Sequence, residues 1–279
     1  MRLPENFNFS QSNLQDYLDC HYRFYLRYIR HMKWPALVVD DAADFEQRGQ
    51  TGARFHRLLQ QFLLGLPEDR LSDLAAADPA KEVLMWWQDF LHHVPPWLSG
   101  RQSVETTLST TLAGHRLIAK YDLILVQEDG QLAVFDWKTS QKRPRKDWLL
   151  ERVQTRLYRL ILTQAGSNFT EQSSIAPETV TMNYWFAPQP ESLVSLPYTQ
   201  DVYENDVHFF TGLIEEIVKR DEDHFLKTNH LKKCRYCVYR SHCDRGIGAG
   251  ELDAFEDFQL ETADLDEEIK FSEIPQIEF

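Results

Sequence analysis

The chain has 279 residues, 43% of them hydrophobic and 13% aromatic, which allows one large domain or two small ones around a packed core and excludes global disorder. No apolar run approaches the length of a bilayer span, and Met1 to Ser10 lack a basic stretch followed by an apolar one, so the chain reads as cytoplasmic with no membrane partner. The net charge of −13 argues against a nucleic-acid partner until its distribution is seen: residues 251–279 hold eleven Asp or Glu against Lys270, a balance of −10, leaving only −3 on the first 250 residues. The sequence thus divides into a near-neutral body, 1–250, and an acidic tail, 251–279, of a kind that is usually solvated. Local basic patches on such a body can still bind phosphate.

Residues 10–31 form the first predicted helix, with Ser10 or Ser12 as cap and Leu14, Tyr17, Leu18, Tyr22, Tyr25, Leu26 and Ile29 at helical spacing. A second helix is predicted over 44–65, with Phe55, Leu58, Leu59, Phe62 and Leu63 on one side, and a third over 80–93, ending before Pro95-Pro96. The period then changes. Residues 102–111, 114–126 and 131–138 are rich in β-branched types and read as strands, the last two joined through Asp129-Gly130. A helix over 147–165, strands over 178–187 and 191–197, a long helix over 200–226 and a cysteine-rich loop over 231–246 follow. The order predicts a mixed α/β fold.

Chemistry concentrates on the segment from Tyr121-Asp122 to Asp136-Trp137-Lys138. Side chains two apart on a strand share a face, so Asp136 and Lys138 project together with Trp137 opposite. Acids and a lysine on one strand are costly to bury without a purpose. A divalent cation such as Mg²⁺, which takes carboxylate oxygens, provides one. Asp122 joins the site only if it shares the face of Asp136, and register decides that. A two-residue Asp129-Gly130 loop sets Asp122 opposite Trp137. A three-residue loop, Glu128-Asp129-Gly130, ending in a left-handed glycine, sets it opposite Asp136, and this is the expectation. Glu105 on the preceding strand can approach the same metal, although a structural or exposed acid is the stronger reading of it.

These segments resemble RecB-type nucleases of the PD-(D/E)XK superfamily, over Ser10 to about Cys243. Phe9-Ser10-Gln11-Ser12 with Tyr17-Leu18-Asp19-Cys20 look like the family's opening helix, and Gly52-Ala53-Arg54-Phe55-His56 like its glycine-plus-histidine helix start. Asp122 and Asp136-Trp137-Lys138 match its two acidic motifs, and Gln154 with Tyr158 its Gln-x-x-x-Tyr motif. The resemblance implies a restriction-endonuclease-like mixed sheet flanked by helices. It implies Mg²⁺ or Mn²⁺ held by Asp122, Asp136, His56 and the Trp137 carbonyl, with Lys138 serving the attacking water. Gln154 and Tyr158, four apart on one helix face, would support the site or touch DNA. One departure is Ala119-Lys120 before Tyr121-Asp122, where relatives often carry glycine; altered local packing is the expected effect.

The four cysteines are Cys20, then Cys234, Cys237 and Cys243 in a C-x2-C-x5-C run. In a reducing compartment such a set suggests a metal site more than disulfides. Thiolates favour iron–sulfur clusters or zinc, and the residues alone do not separate the two. The spacing resembles that of AddB and of CRISPR-associated RecB-like exonucleases, which implies a 4Fe–4S cluster pinning the two ends of the body together. His242 beside Cys243 is a substitute ligand.

Lys142, Arg143, Arg145 and Lys146 follow the catalytic strand. Arg23, Arg27 and Arg30 recur along the first helix, and Lys232, Lys233, Arg235 and Arg240 surround the cysteines. All are candidates for phosphate contact, with ordinary solvated charge as the alternative. Trp86, Trp87 and Trp148 read as core more readily than as base-stacking platforms. The function implied is hydrolysis of DNA, from single-stranded ends by resemblance, in repair or recombination. No P-loop is present, so the chain carries no evident ATP motor and works either alone or beside a separate helicase or repair complex. The competing reading is a non-catalytic DNA-binding or assembly module of a helicase–nuclease or CRISPR adaptation complex.

Overall fold

The computed structural model describes residues 3–4, 6–33, 42–170, 173–234 and 237–246, with the side chains of 42–46 not included. The acidic tail and Arg235 lie outside the described residues.

The first predicted helix is interrupted. Strand β1 (Asn8–Phe9) leads into α1 (Gln11–Asp19), capped at Ser10, whose N–H donates to Asn13 Oδ1 at 3.0 Å. Cys20 then takes an extended conformation before α2 (His21–Phe24), which widens into a π turn over Tyr25–Ile29. The apolar spacing carries through the break, so periodicity alone reads one helix where there are three pieces.

Helices α3 (Ala42–Leu63), α4 (Glu68–Ala76) and α5 (Lys81–His93) form one layer. The sequence reading missed α4, whose Pro67 entry and acidic first turn mark a helix start. Its glycine-plus-histidine segment proves to lie inside α3 rather than at its start. The reason is contact: a Cβ on Gly52 would sit 3.0 Å from Thr139 Oγ1, so glycine lets α3 approach the segment that follows Lys138.

Strands β2 (Arg101–Leu112), β3 (His115–Val126) and β4 (Leu132–Lys138) fall where their composition places them. The long helix after β4 is split by an extended Arg152 into α6 (Lys146–Glu151) and α7 (Val153–Ala165). Strands β5 (Val180–Phe186) and β6 (Leu193–Pro197) follow, then α8 (Gln200–Lys219), which ends seven residues earlier than its apolar pattern suggests.

The sheet is mixed: β4 and β5 are parallel, as are β1 and β3, and the other pairs are antiparallel. The β3–β4 register runs from Val126 opposite Leu132 to Leu123 opposite Phe135, and Gln127 N–H donates to the Gln131 carbonyl. The turn is therefore Glu128-Asp129-Gly130, with Gly130 at φ +83°, as the three-residue expectation requires. One helix layer, α1, α7 and α8, packs Tyr17, Leu157, Ile161 and Phe210 on Val134, Met182 and Tyr184. The other, α3 to α5, packs Phe55, Leu59, Trp87 and Phe90 on Leu125, Phe135, Trp137 and Trp185. The result is a restriction-endonuclease-like mixed sheet between two helical layers. Among the described residues, no helix is long and apolar enough to cross a membrane.

The ends of the body meet directly. Tyr22 N–H donates to the Leu226 carbonyl at 3.1 Å, Tyr239 Oη to the Met32 carbonyl at 2.9 Å, and Lys233 pairs with Asp19 at 2.8 Å. Leu26, Cys237 and Tyr239 form a small core of their own.

Candidate active site at a seam in the sheet

Strand β3 has two edges. Strand β2 occupies nearly the whole of one, so β1, paired at Arg116 and Leu117, and β4, paired at Leu123 to Val126, share the other. Between them lies a seam, and Asp122 stands at its inner end. The ladder to β4 stops at Leu123–Phe135, and there Asp122 Oδ2 accepts the Trp137 backbone N–H at 2.9 Å. A side chain thus takes the place of a ladder carbonyl.

The alternation of faces changes at the same point. Tyr121 and Leu123 are two apart, yet Tyr121 packs in the α7 core and Leu123 in the α3–α5 core. Across from them on β2, Val104 packs toward the α3–α5 core and Leu108 toward the α7 core. The switch occurs at Glu105 and Asp122, which stand opposite one another. Glu105 holds φ +50°, a conformation that non-glycine residues rarely adopt inside a strand. Strand periodicity cannot reveal such a change of face.

Asp136 is 4% exposed and Lys138 7%. Lys138 Nζ lies 2.8 Å from Asp136 Oδ2, and Gln154 Nε2 donates to Asp136 Oδ1 at 2.6 Å. Gln154, on the first turn of α7, is held in turn by Tyr184, whose hydroxyl meets Thr155 Oγ1 at 2.8 Å and Gln154 Oε1 at 3.5 Å. Lys138 also lies over the Tyr184 ring, 5.8 Å from its centroid. Tyr184 was not singled out from sequence, because an aromatic on a buried strand carries no chemical signature. His56, from α3, brings Nδ1 to 3.7 Å from Asp122 Oδ2. Trp137 turns its ring into the opposite core. Tyr158 lies one turn below Gln154, its ring 4.8 Å from that of Tyr121 and its carbonyl accepting the Tyr121 hydroxyl at 2.8 Å. Lys120 pairs with Glu105 at 2.9 Å.

Burial and the neighbouring Asp136 carboxylate push the Asp122 carboxyl well above its ordinary range; Glu105 adds to this, while the Trp137 N–H and Lys138 oppose it. The seam is thus short of positive charge, which a divalent cation would supply. The donor set of carboxylates and an imidazole suits Mg²⁺ or Mn²⁺.

Cys20, Cys234, Cys237 and Cys243 line a single pocket together with Arg23, Lys227, Lys233, Arg240 and Arg245. None of the four is in a disulfide. Thr228 N–H reaches Cys20 Sγ at 3.4 Å and Arg245 Nη1 reaches Cys234 Sγ at 2.8 Å. Burial pushes the Cys237 thiol up to about 11 and raises that of Cys243. Among the described residues, no three Cys, His, Asp or Glu side chains converge closely enough to hold a single ion.

The basic residues divide. Lys142, Arg143, Arg145 and Lys146 are exposed beside the seam. Arg23 is not available to DNA: it is buried between Asp16 at 2.8 Å and Asp19 at 2.6 Å. Arg27 pairs with Asp16 at 3.1 Å. Trp87 is fully buried, Trp86 nearly so, and Trp148 stacks on Arg152, so none is an open platform.

The sequence model of the PD-(D/E)XK nuclease superfamily matches residues 8–244, and the chain belongs to that superfamily. No curated protein matches it. Among solved structures it is similar to a presumed exonuclease from Eubacterium rectale, at 8% identity and a TM-score of 0.48, over 76% of this chain and 80% of that one. It is also similar to the protein SSO0001, at 14% identity and a TM-score of 0.39, over 86% of each chain. PD-(D/E)XK nucleases usually use Mg²⁺ or Mn²⁺, and a nuclease would bind DNA.

Proposed function

We propose that this chain is a metal-dependent deoxyribonuclease that degrades DNA from single-stranded ends in repair or recombination. The observation that carries the reading is the convergence of Asp122, Asp136, Lys138 and Gln154 where β3 and β4 part, with His56 beside them. Asp122 and Asp136 hold Mg²⁺ or Mn²⁺, with His56 and the Trp137 carbonyl completing the protein's share of the ligands. The bound cation supplies Lewis acidity at the phosphate and a more acidic water.

The chain's own residues do the rest. Gln154 fixes the rotamer of Asp136, and Tyr184 fixes Gln154. Lys138 is buried with its ammonium on Asp136, so its charge is set beside the point where negative charge develops on the phosphate, and it orients the attacking water. Tyr158 sets the distance of α7 from β3 through Tyr121. The loop Lys142–Lys146 receives backbone phosphates.

The four cysteines hold a 4Fe–4S cluster, with a zinc site as the alternative. What supports a shared site is that all four cysteines line one pocket together with cationic side chains. Its role is to staple the two ends of the body.

The test compares anaerobically purified wild type with Asp136→Ala on end-labelled single-stranded DNA, with Mg²⁺, Mn²⁺ or EDTA. Cation-dependent cutting by wild type, lost in the variant, is expected. Absence of cutting by folded, cluster-loaded wild type would favour a binding or assembly module. Iron and sulfide analysis of the same preparation separates cluster from zinc.

A further inference from the structure

We infer that the acidic segment 251–279 binds the basic loop Lys142–Lys146 and competes there with the DNA backbone, so that the chain carries its own phosphate mimic. This rests on the nuclease reading of the site and adds to it a regulator within the same chain.

The first observation is how charge is divided. Residues 251–279 hold eleven Asp or Glu against Lys270, with close runs at Glu256-Asp257 and from Asp264 to Glu268. The other 250 residues carry a balance of only −3. A segment so acidic is drawn to wherever positive charge is concentrated on the body.

The second observation is where that concentration lies. Lys142, Arg143, Arg145 and Lys146 place four cations in five residues between β4 and α6, and all four are exposed. Arg143 donates to a neutral partner, the Ser192 hydroxyl. Arg145 pairs with Asp147 at 2.9 Å, but both side chains are more than three-quarters exposed, and so open a pair neutralises little. The cations around the cysteine pocket, nearer the tail in sequence, are committed within the body. Lys233 pairs with Asp19 at 2.8 Å, Arg240 Nε donates to the Arg245 carbonyl at 2.6 Å, Arg245 Nη1 reaches Cys234 Sγ at 2.8 Å, and Lys227 Nζ donates to the Cys243 carbonyl at 3.3 Å.

The third is reach. A body of this length is about 50 Å across. Residues 247–268, drawn out, extend to about 70 Å, so the run from Asp264 to Glu268 can meet the loop. Tethered in this way, it is present at an effective concentration of about millimolar. Lys and Arg bind carboxylate and phosphate oxygens through the same charge-assisted hydrogen bonds, so DNA must displace the tail to gain the loop. Fewer counterions are then released when DNA binds, and its affinity falls less steeply with salt than the loop alone would dictate.

The experiment uses the full, cluster-loaded chain in two measurements. Zero-length carbodiimide cross-linking, read by mass spectrometry, is expected to join tail carboxylates to Lys142 or Lys146, and single-stranded DNA to suppress those links. Links to Lys232 alone, or none to the loop, would overturn the inference. Anisotropy of a labelled single-stranded oligonucleotide, without divalent cations, then compares wild type with a tail variant carrying Glu256→Gln, Asp257→Asn, Asp264→Asn, Asp266→Asn, Glu267→Gln and Glu268→Gln. Thermal melts show that each protein is folded. The tail variant is expected to bind DNA about tenfold more tightly at low salt, with a steeper loss of affinity as salt rises. The same tail changes are made beside Lys142→Gln and Lys146→Gln, which leave Arg143 and Arg145 to hold DNA. There the gain is expected to shrink to about threefold or less. Equal gains in both backgrounds would reveal a general field of charge instead of a contact, overturning the inference and leaving the nuclease reading intact. Cross-links to the loop with no DNA binding by either tail form would overturn the DNA reading and the competition with it.

Discussion

Gln154 offers a clean separation of support from chemistry. It is 1% exposed and donates to Asp136 Oδ1 at 2.6 Å, a short bond to a carboxylate that is itself 4% exposed. Gln154→Leu keeps the volume and removes the donor. Tyr184 is not orphaned by the change, since its hydroxyl keeps Thr155 Oγ1 at 2.8 Å. The loss includes a hydrogen bond to a charged group, which alone is worth about 2 kcal/mol. In a body of this size that lowers Tm by about 4–8 °C. Losing a group that orients a metal-binding carboxylate also costs about 10–100-fold in activity or metal affinity. The assays are calorimetric melting of the metal-free protein and cleavage of end-labelled DNA across a Mn²⁺ titration. A lowered Tm with cleavage unchanged at every Mn²⁺ concentration would refute the positioning role. Unchanged Tm would refute the hydrogen-bond reasoning itself.

Other perturbations test other parts. Because the folded Asp122 carboxyl titrates well above its ordinary value, its ionisation destabilises the metal-free protein as pH rises above about 4. Asp122→Asn, which can still accept the Trp137 N–H, should therefore raise Tm at pH 7, with the gain vanishing toward pH 4; a constant gain would contradict this. Gly52→Ala should disturb the approach of α3, and with it His56, because its Cβ would meet Thr139 Oγ1 at 3.0 Å. Adding Thr139→Ala should restore cleavage, and failure of that rescue would place the effect elsewhere. Arg23→Met removes the buried partner shared by Asp16 and Asp19, leaving Asp16 to Arg27 and Asp19 to Lys233, and should cost about 2–3 kcal/mol in urea unfolding. Gly130→Val, at φ +83°, should cost about 1–2 kcal/mol by the same measurement.

Much of this site could be read before any coordinates. The acids, the lysine and the Gln-x-x-x-Tyr pair were named from sequence, and hairpin parity correctly put Asp122 in register with Asp136, because a side-chain period of two leaves only two choices. What could not be read depends on non-local contacts. The parallel pairing of β4 with β5 leaves no mark on either strand's composition. The change of face at Glu105 and Asp122 breaks the very rule by which strands are recognised. Cys20 and Arg152 interrupt helices whose apolar spacing continues across them. Arg23 looked like part of a basic stripe, and only the fold reveals two carboxylates enclosing it.

Cys20 and Cys243 wall the same pocket, although more than two hundred residues separate them. Chains grow at about 5–20 residues per second, so Cys20 leaves the ribosome roughly 10–45 s before Cys243 can join it. The pocket therefore cannot close until Cys243 has emerged, and a chain stalled or cleaved before residue 234 would present one cysteine with no partners.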